Sequence, residues 1–255
     1  MSISFIILFY NDKQTAKQLI QDVDITLSKL FNDYEIIAID DNSTDDTFSE
    51  LISLKAEIKN LIAIKNEKNL GVGKNFRKAV EISQKKFIGY TDGDYQYDLN
   101  DLEKYKKLIS EYDVVTGYRK KRQDKWHRTI LSKHFNYLTN SLFSLQLKDV
   151  NSALKIYNAS KLKLLPEWDS GAFYDAEILM RLKKDFGASI CEVAINHKKR
   201  EHGIARGFSR KNINNILENM VSERTAIYRT ASTKNSLLQL YVKSILLFTR
   251  KGSMD

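Results

Sequence analysis

The chain has 255 residues, 42% of them apolar, a formal net charge of +9 and a single cysteine. That size and apolar content suit one large α/β domain or two small ones. Cys191 alone excludes an intrachain disulfide and a multi-cysteine metal site, no apolar run reaches the roughly 18 residues of a membrane span, and the positive charge selects anionic partners such as nucleic acid, phospholipid or phosphorylated metabolites.

The opening MSISFIILFYND lacks the basic lead and small-residue cleavage site of a signal peptide, so residues 4–10 are read as a first strand covered on both faces. Ala16, Leu19, Ile20, Val23, Leu27 and Leu30 then recur at helical spacing, with Asn11 or Asp12 available as a cap. A second strand at 34–39 runs into Asp40-Asp41-Asn42-Ser43-Thr44-Asp45-Asp46-Thr47, and Phe48, Leu51, Ile52, Leu54 and Ile58 mark the next helix. A short strand at 61–64 precedes Gly71-Val72-Gly73-Lys74, which opens a helix through Phe76, Ala79, Val80 and Ile82.

Residues 87–91, FIGYT, form a fourth strand that stops at Asp92-Gly93-Asp94-Tyr95-Gln96. If the chain stays extended there, Asp92, Asp94 and Gln96 project to one side and offer three oxygen donors to one point. Such a set suits Mg²⁺ or Mn²⁺, hard cations that take one or two carboxylates together with a substrate's phosphates. An Asp-x-Asp spacing by itself is more often a polar turn, so the reading depends on its surroundings.

Further along, a helix runs through Leu102, Tyr105, Leu108 and Ile109, and a strand at 113–116 leads into a basic stretch containing Arg119, Lys120, Lys121, Arg122, Lys125 and Arg128. A helix carrying Trp126, Ile130, Leu131, Phe135, Leu138 and Leu142 follows, then a strand at 153–157. A helix at 173–186 presents Asp175 and Glu177, and a strand at 189–195 ends in a second basic stretch that includes His197, Lys198, Lys199 and Arg200. Two helices are predicted near 213–221 and 237–248; the basic flanks of the second suit a membrane interface, while its apolar face suits its own domain or a second copy.

Strand alternating with helix predicts an α/β fold, a mostly parallel sheet with helices on both faces. In such sheets ligands bind beyond the carboxyl ends of the strands, and Asp12, Asp40, Asp41, Asp92, Asp94 and Arg119 all fall there. Lys74, at a helix start beside two glycines, can add phosphate contacts through its ammonium and nearby N–H groups.

In this order the motifs resemble the inverting nucleotide-sugar glycosyltransferases of family 2, and among them the polyprenyl-phosphate sugar synthases of the dolichyl-phosphate mannose synthase type. Phe9-Tyr10-Asn11-Asp12 is similar to Pro-x-Tyr-Asn-Glu without its proline and with the glutamate shortened. The Asp40 to Thr47 run resembles Asp-Asp-x-Ser-x-Asp-x-Thr, and Asp92-Gly93-Asp94-Tyr95-Gln96 resembles Asp-Ala-Asp-Leu-Gln. Gly117-Tyr118-Arg119 and Arg200-Glu201-His202-Gly203 match Gly-x-Arg and Arg-x-x-Gly. One departure is Asp149-Val150-Asn151-Ser152-Ala153-Leu154-Lys155, where lipid-acceptor members have Asp-x-x-Ser-Gly-Phe-Arg.

The resemblance implies a GT-A domain with a Rossmann-like sheet at 1–211 and a helical extension at 212–255 that associates with a membrane or a second copy. It implies a nucleotide-diphosphate sugar, UDP- or GDP-linked, bound by Phe9, Tyr10, Asp12, Asp40, Asp41, Lys74, Asp92 and Gly93. A metal, Mg²⁺ or Mn²⁺, falls to Asp92, Asp94 and Gln96, and the phosphate of a polyprenyl acceptor to Arg119, Arg128, Lys133 and Arg200. The expected setting is an anionic membrane surface at the cytoplasmic, inner face of the membrane, with a peripheral enzyme that is either monomeric or homo-oligomeric.

Asp94 and Asp175 are the catalytic candidates. A saccharide hydroxyl acceptor would need a general base, Asp175 or its rival Glu177, whereas an anionic phosphate needs cationic positioning more than deprotonation. A nucleic-acid-binding module, the third reading, has no matching binding motif in the chain.

Overall fold

The computed structural model describes residues 1–120, 126–168 and 173–202, with backbone alone at 126–128. The domain boundary expected at 211 and the helices expected after it lie outside the described residues.

The chain alternates as expected: β1 (Ser2–Phe9), α1 (Lys13–Leu30), β2 (Asp33–Asp40), α2 (Thr47–Leu54), β3 (Leu61–Lys65), α3 (Val72–Ile82) and β4 (Phe87–Asp92). A 3₁₀ turn (Leu99–Asp101) leads into α4 (Leu102–Leu108), followed by β5 (Val114–Arg119), α5 (Trp126–Phe143), β6 (Lys155–Asn158), α6 (Ala159–Leu162), α7 (Tyr174–Phe186) and β7 (Ile190–Ile195). The strands form one sheet in the order β3-β2-β1-β4-β6-β5-β7. Every neighbouring pair is parallel except those of β6, which runs antiparallel to both β4 and β5.

β1 reads as a continuous apolar run because it is central: Ile3, Phe5, Ile6 and Ile7 are wholly buried between layers. The apolar stripe of α1, Leu19, Ile20, Val23 and Leu27, is buried too, each side chain contributing about 1.5–3 kcal/mol on transfer from water. Its start differs from the expected cap. The Asp12 side chain makes no capping bond to α1, and one carboxylate oxygen instead accepts from the N–H of Tyr10 at 3.0 Å.

Topology places the crevice. From β1 the chain steps to β2 and β3 on one side and returns to β4 on the other, so the sheet switches direction between β1 and β4. In the register, Leu8 sits opposite Asp92 and Phe9 opposite Asp40, which brings the carboxyl ends of three strands to one level.

The structure corrects one step of the sequence reading at the end of β4. The chain does not stay extended: the Gly93 N–H bonds to the Leu8 carbonyl at 2.9 Å, residues 93 and 94 turn, and Tyr95 adopts a left-handed φ of 56°. Glycine is required here by close approach, since a Cβ on Gly93 would lie 2.4 Å from the Phe9 ring and 2.8 Å from the Leu8 carbonyl oxygen. Simple alternation therefore cannot align Asp92, Asp94 and Gln96.

Candidate active site

The walls of the crevice are built from the loops that follow β1, β2 and β3. Asn11, at φ 57°, lends its side-chain oxygen to the Thr44 N–H at 2.8 Å, while its own N–H donates to Ser43 Oγ at 2.9 Å. The Asp12 N–H donates to Thr47 Oγ1 at 3.0 Å. Asp40 is fully buried, with its carboxylate accepting from the N–H of Ser43 at 3.2 Å and from the Ser43 hydroxyl. The Asp41 carboxylate accepts from the N–H groups of Leu70 at 2.7 Å and Gly71 at 2.9 Å, and from Asn66 Nδ2 at 3.0 Å. Both acidic side chains thus shape the loops, and Asp41 ties the Gly71 turn, φ 82°, to the end of β2.

Among the other residues expected at the nucleotide sugar, Phe9 is buried and forms the floor under Gly93. Tyr10 and Asp12 are half-buried at the rim, and Lys74 is exposed in the first turn of α3. Trp168 steadies that turn by donating from Nε1 to the Gly73 carbonyl at 3.2 Å.

Beyond β4, two segments a hundred residues apart are laced together. Tyr97 bridges to His197, the Lys198 N–H donates to the Gln96 carbonyl at 2.7 Å, and Gln96 Nε2 donates to the Lys198 carbonyl at 3.1 Å. The Asn196 N–H adds a bond to Asp101 Oδ2 at 2.7 Å, and the Lys198 ammonium sits 4.6 Å from the Tyr95 ring centroid. Gln96, expected among the metal donors, therefore spends its amide nitrogen on this lacing. Arg200 follows it and donates from Nη2 to Asp94 Oδ2.

Asp92 and Asp94 do converge. Burial, then the negative charge of Asp92, push the Asp94 carboxyl up to about 7, against the opposing pull of Arg200. Asp92 in turn accepts from the Tyr90 hydroxyl. Two carboxylates converging at a strand end, Asp94 buried and Asp92 half-buried, repel one another, and a cation relieves both. Among the described residues, no three His, Cys, Asp or Glu side chains gather into a closed cage. An open pair of carboxylates fits Mg²⁺ or Mn²⁺ shared with a substrate's phosphates, which supply the remaining oxygens.

Asp175 lies deeper than a free base would. Its Oδ1 accepts from Lys155 Nζ at 3.0 Å, and that lysine is wholly buried and also donates to the Ser152 carbonyl. Burial pushes the Asp175 carboxyl upward, with the Lys155 ammonium opposing, and the Tyr174 hydroxyl bonds to it as well. Tyr174 and Tyr90 meet edge to face, 6.4 Å between centroids, so a buried polar chain runs from Lys155 through Asp175 and the two tyrosines to Asp92. The rival Glu177 is buried in an ion pair with Arg181 at 2.8 Å.

Arg119, expected at an acceptor phosphate, has another partner: Nε and Nη2 grip the two Asp149 oxygens at 2.6 and 2.7 Å. With side chains only 8% and 6% exposed, this buried bidentate pair already engages the fork that a phosphate would use. Asp149 is itself positioned from below, where the N–H groups of Lys148 and Asp149 reach Glu192. Lys133 is exposed on α5, lining a hollow of about 490 Å³ with Ile130, His134 and Tyr137. Arg128 falls in α5, with its side chain outside the described residues.

Lys155, Asp149, Tyr97 and Lys198 were missing from the expected site. Lys155 carries a signal in hindsight, a charge inside the apolar run Ala153-Leu154-Lys155-Ile156-Tyr157, which needs a buried counter-ion.

Residues 4–181 match the model of glycosyl transferase family 2. Dodecaprenyl-phosphate galacturonate synthase of Rhizobium johnstonii is 26% identical over 228 residues, 82% of this chain and 63% of that protein. Undecaprenyl-phosphate 4-deoxy-4-formamido-L-arabinose transferase of Proteus mirabilis is 23% identical over 250 residues, 96% of this chain and 75% of that one. The chain thus spans 63% and 75% of the length of these two curated relatives. Among solved structures, mannosyl-3-phosphoglycerate synthase from Rubrobacter xylanophilus superimposes with a TM-score of 0.73 at 15% identity, covering 91% of this chain and 76% of that one. Glucosyl-3-phosphoglycerate synthase from Mycobacterium tuberculosis, solved with Mn²⁺, UDP-glucose and phosphoglyceric acid, gives 0.63 at 16% identity, covering 86% and 79%. These two likenesses establish the GT-A fold.

Proposed function

The chain belongs to glycosyl transferase family 2, and from that premise we propose that it moves a sugar from a nucleotide-diphosphate donor to a polyprenyl phosphate, with inversion and with a bound Mg²⁺ or Mn²⁺. The observation that carries this reading is the junction of Asp94 with Arg200, where a carboxylate pair that calls for a cation adjoins a guanidinium suited to phosphate. The two curated relatives are named for polyprenyl-phosphate products, and the Mycobacterium tuberculosis enzyme of the same fold was crystallised with Mn²⁺ and a UDP-sugar.

Asp94 and Asp92 would hold the metal at the switch point, with the loops of Asp12, Asp40 and Asp41 shaping the seat for base and ribose. When bound, the metal neutralises the charge that develops on the departing diphosphate. The acceptor phosphate approaches the anomeric carbon from the opposite face. One of its oxygens forms the new C–O bond as the old bond to the diphosphate breaks, and the nucleoside diphosphate leaves with the bonding pair. A phosphate oxygen attacks without losing a proton. The pairing of Asp175 with Lys155 therefore favours a phosphate over a saccharide hydroxyl as acceptor, since it leaves no unpaired carboxylate there for a general base.

A lipid-linked acceptor calls for a membrane surface, and we infer that the protein is held peripherally at its cytoplasmic face. Among the described residues, no helix is long and apolar enough to cross one. The test is to incubate the protein and Mn²⁺ with labelled nucleotide sugars, with and without undecaprenyl phosphate, and to follow label into the organic phase. Label that enters only with the lipid supports the reading; lipid-independent turnover yielding a glycosylated saccharide would replace it with the hydroxyl-acceptor alternative.

A further inference from the structure

Among the described arginines expected at the site, Arg200 is the less satisfied. One arm, Nη2, donates to Asp94 Oδ2, while Nε is buried with no acceptor. Arg119 uses its fork fully on Asp149, so the difference reflects the positions of the two residues. A guanidinium with an orphaned donor gains by moving to a ligand that offers two oxygens in fork geometry, as phosphate does.

Both Asp94 oxygens are already engaged. Oδ1 accepts from the Gln96 N–H at 3.2 Å, a bond fixed by the turn itself, and Oδ2 accepts from Arg200. A metal approaching Oδ2 of Asp94 competes with the arginine, which occupies that oxygen and whose positive charge opposes a cation there. Among the described residues the lacing that holds this segment ends at Lys198, two residues before Arg200, so the guanidinium can swing away while Asn196 and Lys198 stay anchored.

We propose that Arg200 is a two-position residue, resting on Asp94 when the metal is absent and released to the acceptor phosphate when the metal arrives, so that metal binding and phosphate capture favour one another. This rests on the donor and acceptor assignment above and goes beyond it in coupling the two sites. By linkage, whatever draws Arg200 off Asp94 tightens the metal, and the metal tightens the phosphate by the same factor.

The experiment measures Mn²⁺ affinity directly, by electron paramagnetic resonance of free Mn²⁺, in the wild-type chain and in Arg200→Ala, Arg200→Lys and Asp94→Asn. Arg200→Ala should bind Mn²⁺ about tenfold more tightly than wild type, within the roughly 5–150-fold range of couplings between sites. Arg200→Lys should stay near wild type, and Asp94→Asn should lose the site. Farnesyl phosphate, corrected for its own Mn²⁺ binding in protein-free controls, should tighten Mn²⁺ several-fold in wild type and not in Arg200→Ala. Unchanged or weaker Mn²⁺ binding in Arg200→Ala, with Asp94→Asn still losing the site, overturns the coupling and leaves the assigned function standing. Mn²⁺ binding that survives in Asp94→Asn removes the metal assignment and the coupling with it. If Arg200→Ala does not fold by circular dichroism, the farnesyl phosphate effect on wild type decides, and its absence overturns the proposal.

Discussion

Replacing Lys155 with methionine tests the buried polar chain beneath the crevice. The substitution keeps the length and apolar stem of the side chain but removes the ammonium 3.0 Å from Asp175, at a position with no solvent exposure. Water cannot take over as partner, so Asp175 is left either charged and uncompensated or protonated. Breaking one side of a buried pair costs about 3–5 kcal/mol. At about 2–4 °C per kcal/mol for a domain of this size, the melting temperature should fall by roughly 6–20 °C.

The loss should depend on pH in a defined direction. Burial already pushes the Asp175 carboxyl up, and Lys155 opposes that push, so removing the lysine raises it further. A carboxyl that titrates higher in the folded state than its unfolded value, about 3.9, binds its proton more tightly when folded. It therefore lowers stability as pH rises from the unfolded value through the folded one. The deficit of Lys155→Met should accordingly be smallest in acid and grow toward neutrality. Urea and thermal unfolding at pH 5 and pH 7.5 measure it, alongside the double variant Lys155→Met/Asp175→Asn. The double variant should recover a large part of the loss, because it removes the stranded charge. Stability of Lys155→Met equal to wild type at both pH values, or a double variant worse than the single, would refute the buried pair as described.

Two further outcomes follow from the same geometry. Asp175→Asn should reduce transfer to polyprenyl phosphate by less than the 10²–10⁴-fold that a general base supplies; steady-state rates with saturating lipid check this, and complete loss would favour a hydroxyl acceptor. Gly93→Ala should destabilise the chain by about 1–3 kcal/mol through overpacking against the Phe9 ring and the Leu8 carbonyl, and, by moving the Asp92–Asp94 turn, it should lower transfer as well; a variant as stable and active as wild type would show that the turn has more room than described.

The sequence displayed its parallel frame openly, because each strand there is a short apolar run and each helix carries a 3.6-residue stripe. Strand-end carboxylates were visible for the same reason, since the apolar runs end abruptly at Asp40 and Asp92. What stayed hidden depends on contacts distant in the chain. The antiparallel β6, inserted between β4 and β5, has no local signature of its neighbours, and the four-residue α6 is too short for any period. The left-handed Tyr95 is not a residue type that announces a turn, so the extended course that would align the three donors stood open beside the polar-turn reading of that segment. Arg119 was assigned to a phosphate by its Gly-x-Arg motif and its charge; its pairing with Asp149, thirty residues away, emerges only when β5 and the loop before β6 are brought together. The same holds for Arg200, whose motif pointed to phosphate while folding sets it on Asp94.

Under the proposed function, transfer depends on a metal held at the Asp94 end of β4. Asp94→Ala removes that carboxylate, and Arg200, with a side chain 26% exposed, can turn to water, so the fold should remain intact by circular dichroism. The direct measurement is formation of lipid-linked sugar by wild type and Asp94→Ala after chelation and after Mn²⁺ is restored. Wild type should lose transfer on chelation and regain it with Mn²⁺, while a folded Asp94→Ala should transfer nothing under either condition. Transfer retained by Asp94→Ala, or by wild type after exhaustive chelation, would contradict that dependence.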